Sequence, residues 1–103
     1  MFPRVFGLSK KERFGRIVEL GCIVCKVHYG VFSHCAIHHL TGLKYRSTGK
    51  KADDQYTIGL CGNHHQHGSF DHPAIHTHPA FFEAKYGTQE SLLEITNKLI
   101  ENN

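Results

Sequence analysis

The apolar positions along the chain change period several times, and each change marks an element. Phe14, Ile17, Val18 and Leu20 recur at helical spacing behind Ser9 and Glu12, which form a capping box, and ahead of Gly21. This predicts a first helix over 10–20, with Lys10, Lys11, Arg13 and Arg16 on a solvated basic face. The 22–26 stretch reads as a tight turn carrying Cys-x-x-Cys. Residues 32–40 read as a strand, 41–54 as a polar, glycine-containing loop, and 55–60 as a return strand in which Tyr56, Ile58 and Leu60 alternate. "CGNHHQHG" reads as one short helix. Pro79 opens and Gly87 closes a further helix. Thr88 caps a last one that carries Leu92, Leu93, Ile95, Leu99 and Ile100. There are no repeats or low-complexity tracts, so 1–103 reads as one domain.

Composition adds a constraint. A hydrophobic content of 40% in 103 residues makes a modest core. Ten histidines against one methionine and no tryptophan is a heavy bias, and it suggests that metal supplements the core. Net charge is +3 with histidine neutral, and two stretches, "SKKERFGR" and "LKYRSTGKK", hold eight of the twelve lysines and arginines. That balance is compatible with nucleic acid. No apolar run reaches the length of a membrane span, and the first residues lack the apolar core of a signal peptide. The expected location is the cytoplasm of a bacterial host cell. In that reducing compartment, cysteines near histidines read as metal ligands before disulfides.

The cysteines fall in pairs that suit zinc. Cys22 and Cys25 form a knuckle; Cys61 and His64 repeat the two-residue spacing at the start of the short helix. Thiolate and imidazole close a structural tetrahedron, and the 35 residues between the pairs fit an inserted hairpin. His28 and Cys35 compete with His64 for the fourth place, and His65 could exchange roles with it. The fold class expected is α+β: a small zinc-stabilised treble-clef or ββα-metal finger, with an N-terminal helix and additional C-terminal helices. His38 and His39 are adjacent on the first strand, so they point to opposite faces. One is free to hold a ligand while the other does chemistry. His34 shares a face with His38 and is a further candidate ligand; His67, His72 and His78 read as surface residues.

The ordered set of motifs resembles the HNH endonucleases, in particular the small phage recombination-enhancement, RecA-dependent nucleases. It comprises Gly21, Cys22 and Cys25; His38, His39 and Gly42; Lys51, Asp54, Tyr56, Leu60, Cys61, His64 and His65; Ile75 and His76; and Phe82, Glu83, Tyr86 and Gly87. The resemblance covers about residues 20–87, the core of the expected nuclease domain. It implies a metal-dependent DNA endonuclease in phage or prophage recombination, with His39 as general base. His38, His65 and His76 would bind a catalytic metal. No Asn lies on the second strand to orient the base, a departure from the usual HNH pattern. Asp54 or Gln55, or a backbone carbonyl, takes that place, with Asp54 the expected catalytic partner.

Magnesium prefers oxygen donors, so activity is expected with Mg2+ and equally or better with Mn2+. Zn2+ is expected in the structural site and can occupy the catalytic one. Lys44, Arg46, Lys50 and Lys51 are expected to follow a DNA backbone with little sequence specificity, and a RecA filament is the implied partner. Two rival readings use fewer of the residues. A non-catalytic zinc-binding nucleic-acid module explains the knuckle and the charge; a zinc-buffering scaffold explains only the histidine count.

Overall fold

The structure is a computed structural model that describes residues 8–42, 54–69 and 71–101. It is an α+β arrangement: α1 (Lys10–Leu20), α2 (Ile23–Tyr29), β1 (Ala36–His39), β2 (Thr57–Leu60), a π-helical turn (Asn63–His67), α3 (Pro79–Tyr86) and α4 (Gln89–Glu101). The two strands form one antiparallel sheet, with Ala36 opposite Leu60, Ile37 opposite Gly59, His38 opposite Ile58 and His39 opposite Thr57. A two-stranded ribbon is marginal by itself. Here α1, α2 and α4 pack on β2, whose four residues are all buried.

Helix α1 begins as its capping box requires. Ser9 Oγ accepts from the Glu12 N–H at 3.1 Å, and Glu12 Oε1 accepts from the Ser9 N–H at 3.1 Å. Its buried face differs from the expected one. Arg13 is fully buried and Ile17 is 1% exposed, while Val18 is 49% exposed. Arg13 therefore leaves the basic face to which its neighbours belong. It is accepted inside because β2 and α4 supply oxygens: its Nε donates to Thr57 Oγ1, its Nη2 to Thr57 O and its Nη1 to Asn97 Oδ1.

The Cys-x-x-Cys stretch is likewise not a tight turn. Cys22 is the N-cap of α2, its sulfur accepting from the Cys25 N–H at 3.5 Å, and Gly30 ends the helix in the left-handed conformation at φ 65. Ile23, Val24 and Cys25 are buried, so the apolar run favours a helix that packs over a turn that does not. The first strand is shorter than the predicted 32–40. Ser33 O is taken by the Cys22 N–H at 2.9 Å, which ties that segment to the knuckle rather than to β2, and Phe32 is 58% exposed. The return strand starts at Thr57 because Asp54–Tyr56 form a turn, closed by Thr57 Oγ1 donating to Asp54 O at 2.8 Å.

One glycine is required by packing. A Cβ on Gly59 would meet Cys35 Sγ at 2.6 Å and Gly21 O at 2.9 Å, so β2 runs directly against the α1–α2 junction. The apolar core joins Ile23, Val24, Leu40, Ile58, Leu60, Phe82 and Leu92, and α3 and α4 close it from the far side. Helix α4 is capped as expected, with Thr88 Oγ1 accepting from the Ser91 N–H at 3.1 Å. No helix among the described residues is long and apolar enough to cross a membrane.

Candidate metal centres and the His39–Asp54 pair

The π-helical turn organises the site. A π turn is wider than an α turn and recurs at functional positions. Cys61 O accepts from both the His64 and the His65 N–H, at 3.1 and 2.9 Å. The turn leaves His64 O and His65 O free to take the Ile75 and His76 N–H groups, at 2.9 and 3.1 Å. Consecutive histidines thus serve two clusters, and the 71–78 segment is docked by its backbone beside the second.

The first cluster is Cys22, Cys25, Cys61 and His64. His64 Nδ1 lies 3.7, 3.6 and 3.2 Å from the three sulfurs, and Cys25 Sγ lies 3.8 Å from Cys61 Sγ. A disulfide needs about 2.05 Å, so these cysteines are free thiols. Zinc–sulfur bonds of about 2.3 Å at a tetrahedral angle give a sulfur–sulfur edge of about 3.8 Å and a sulfur–nitrogen edge of about 3.6 Å. The donor spacing therefore suits zinc, and the group could hold that ion. Burial pushes the Cys22 thiol up to about 12, so without a cation its sulfur keeps its proton. His64 Nε2 faces Tyr86 Oη at 3.3 Å, which in turn meets Tyr29 Oη at 2.8 Å, an outer pair that fixes the imidazole's orientation.

The competing ligands lie elsewhere. His28 Nε2 faces Tyr86 O at 3.2 Å, and Cys35 Sγ faces Ile17 O at 3.7 Å. His72 is no bare surface residue: it is half-buried between Tyr29 and His64, with ring centroids 5.3 and 5.5 Å away.

The second cluster is His38, His65 and His76, with one donor atom from each lying within 4.8 Å of the others. His65 Nε2 and His76 Nε2 are 3.0 Å apart. That is hydrogen-bond distance, and close enough for both nitrogens to share one ion. His38 is 2% exposed, His65 half-buried and His76 exposed, so the cluster opens to solvent on the His76 side. Three protein donors with an open side is the form of a catalytic rather than a structural metal site. His34 is exposed against Phe32 and is not among the three.

Gln89, which nothing in the sequence pointed to, holds His38. Its Oε1 accepts from the Thr41 N–H at 2.9 Å and its Nε2 donates to Thr41 O and Oγ1, so backbone partners fix the amide orientation. Oε1 therefore faces His38 Nε2 at 3.2 Å, that nitrogen carries the hydrogen, and the lone pair is on Nδ1.

Burial pushes His38 down to about 4, and burial with neighbouring His76 lowers His65. An ordinary imidazole competes with protons below about pH 6.5. Burial keeps His38 neutral above about pH 5.5, so it adds no proton competition in that range. The logarithm of manganese affinity is therefore expected to fall by less than about two units per pH unit between pH 7 and 5.5. Calorimetric titration of protein whose cysteine cluster is filled with zinc measures that slope; a slope near three contradicts it.

His39 points away from this cluster. It is half-buried, its ring edge-on to Phe14 with centroids 6.1 Å apart, and its Nε2 lies 2.7 Å from Asp54 Oδ1. An ionised carboxylate only accepts, so Nε2 carries the hydrogen and Nδ1 the lone pair. Lys10 Nζ stands 3.9 Å from Asp54 Oδ2. Gln55, the other expected partner, donates to Leu8 O at 3.4 Å. Lys44, Arg46, Lys50 and Lys51 lie outside the described residues.

No curated protein and no solved structure gives a significant match to the chain. Residues 8–101 match the family described as recombination enhancement, RecA-dependent nuclease. That span runs from the residue before the α1 cap to the end of α4 and includes both clusters and the His39–Asp54 pair. The chain thus belongs to the recombination-enhancement, RecA-dependent nuclease family.

Proposed function

We propose that the chain is a metal-dependent DNA endonuclease of the HNH class, with a treble-clef, ββα-metal core built from β1, β2 and the π-helical turn. The observation that carries the reading is the division of labour at "HH". His38 enters an open three-histidine cluster, while His39 is held by a carboxylate with its other nitrogen available.

In this reading Cys22, Cys25, Cys61 and His64 hold structural zinc, and His38, His65 and His76 hold the catalytic ion. That ion would neutralise charge on the phosphate and the departing 3′ oxygen. His39 Nδ1 accepts the proton of the attacking water. Asp54 keeps the ring in the tautomer that allows this and stabilises the imidazolium that forms. The Gln89 contact leaves Nδ1 as the His38 nitrogen with a lone pair to offer an ion. Phosphodiester hydrolysis asks little more of the protein than this positioning.

Three imidazoles and no carboxylate suit manganese, cobalt, nickel or zinc better than magnesium. DNA is the substrate in this account, contacted along its phosphates by Lys44, Arg46, Lys50 and Lys51, with targeting by a RecA filament. Cleavage is accordingly expected to fall steeply with added salt.

The test separates ligands from base by metal affinity. Zinc-loaded wild type is expected to bind one manganese ion. His65→Ala weakens that binding by at least about tenfold, whereas His39→Ala leaves it unchanged. Nicking of supercoiled DNA should track manganese occupancy. Equal manganese binding by wild type and His65→Ala, with DNA bound but uncut, would instead favour a non-catalytic zinc-binding module.

A further inference from the structure

We propose that Arg13, acting through Thr57, is a positioning residue for the His39–Asp54 pair. The inference rests on the reading of His39 as the base and names what holds it in place. Thr57 touches both members of the pair by different means. It lies opposite His39 in the strand register, and its Oγ1 donates to Asp54 O at 2.8 Å.

Arg13 decides where that hydroxyl points. Arg13 Nε donates to Thr57 Oγ1 at 2.9 Å, so the hydroxyl oxygen is an acceptor on that side and its own hydrogen turns to Asp54 O. Arg13 Nη2 donates to Thr57 O at 2.7 Å, which fixes the same residue from its backbone. Asn97 Oδ1 takes Nη1 at 2.9 Å and anchors the guanidinium to α4. A rigid fork on one residue thus ties α1 and α4 to the turn that carries Asp54.

The arrangement is costly for packing alone. Arg13 is fully buried against three neutral oxygens, and burial lowers it to about 10. An apolar side chain would fill the same volume without desolvating a charge. What a methionine or leucine could not do is direct the Thr57 hydroxyl. The Asp54 Oδ1 to His39 Nε2 contact of 2.7 Å depends on where that turn sits. Small displacements at a catalytic pair carry large rate penalties.

Thr57→Val tests this, since it keeps the shape and strand preference and removes only the hydroxyl. Expected for Thr57→Val is retained fold and zinc, a fall in kcat of about tenfold with KM unchanged, and no further loss when it is added to Asp54→Ala. Thr57→Ser, which restores the hydroxyl, should recover kcat to within about threefold of wild type despite its missing methyl. If Thr57→Val does not fold, Arg13→Lys, which keeps the cation and breaks the fork, should show the same kcat loss and the same non-additivity.

A second readout does not need cleavage. The His39 Nε2–H resonance, assigned by its loss in Asp54→Ala, should be present in wild type and Thr57→Ser and broadened or lost in Thr57→Val. An unaltered resonance and kcat in Thr57→Val would overturn the proposal. So would losses that match each variant's destabilisation and add fully to Asp54→Ala. Should wild type and His39→Ala cut alike, the nuclease reading fails, and the resonance alone then decides the role of Arg13 and Thr57.

Discussion

Removing the ion from the cysteine cluster is expected to unfold the protein. A structural zinc supplies an apparent 10–16 kcal/mol in small zinc-dependent peptides, roughly the whole stability of a domain, about 5–15 kcal/mol. The fold has little to set against that loss. Among the described residues its sheet has two strands, and the four cluster residues join the α1–α2 junction to the end of β2 and the π-helical turn. Burial raises the Cys22 thiol to about 12, so a cation is what would favour its thiolate. Chelation, or Cys61→Ser, should therefore collapse the dispersed proton spectrum and much of the helical circular dichroism. Re-adding zinc should restore both in the chelated wild type. A native spectrum that survives complete removal of zinc would show that the apolar core suffices.

Replacing His39 by alanine is expected to act oppositely, sparing structure and abolishing cleavage. General-base catalysis contributes about 10²–10⁴-fold. His39 is the last residue of β1 and only half-buried, outside both candidate metal clusters, so its loss is expected to leave zinc content and manganese binding unchanged. Asp54→Asn should lose less, about 10–100-fold, because the proposed base, His39, is kept while its tautomer and orientation are not. A larger loss for Asp54→Asn than for His39→Ala would mean that Asp54 itself takes the proton.

What could be read ahead of the structure was whatever is set locally. The Ser9–Glu12 capping box, Pro79 at a helix start and the Thr88 cap are short-range chemistry, and α1, α3 and α4 begin where these residues place them. The spacing of Cys22, Cys25, Cys61 and His64 was legible for the same reason, since two pairs at a fixed interval have few other uses. The cluster of His38, His65 and His76 came from the ordered motifs rather than from any one spacing.

The parts that could not be read depend on partners far along the chain. Arg13 resembles its surface neighbours until β2 and α4 bring Thr57 and Asn97 to it. Gln89 looks like an ordinary first-turn residue until Thr41 arrives to orient it. The Cys-x-x-Cys motif masks the helix it starts, because its spacing signals ligands while the burial of Ile23 and Val24 depends on the rest of the fold. The strand expected over 32–40 is shorter because Ser33 pairs with Cys22, a contact that no alternation pattern reveals.

The most direct test of the central claim is cleavage of supercoiled plasmid and of single-stranded DNA by wild type and His39→Ala, side by side. Both would be run in manganese and in magnesium, with and without RecA and ATP, after zinc content and folding have been matched. The account predicts cutting by wild type, strongest with manganese, and none above background by a folded, zinc-replete His39→Ala. Equal cutting by the two proteins would contradict it.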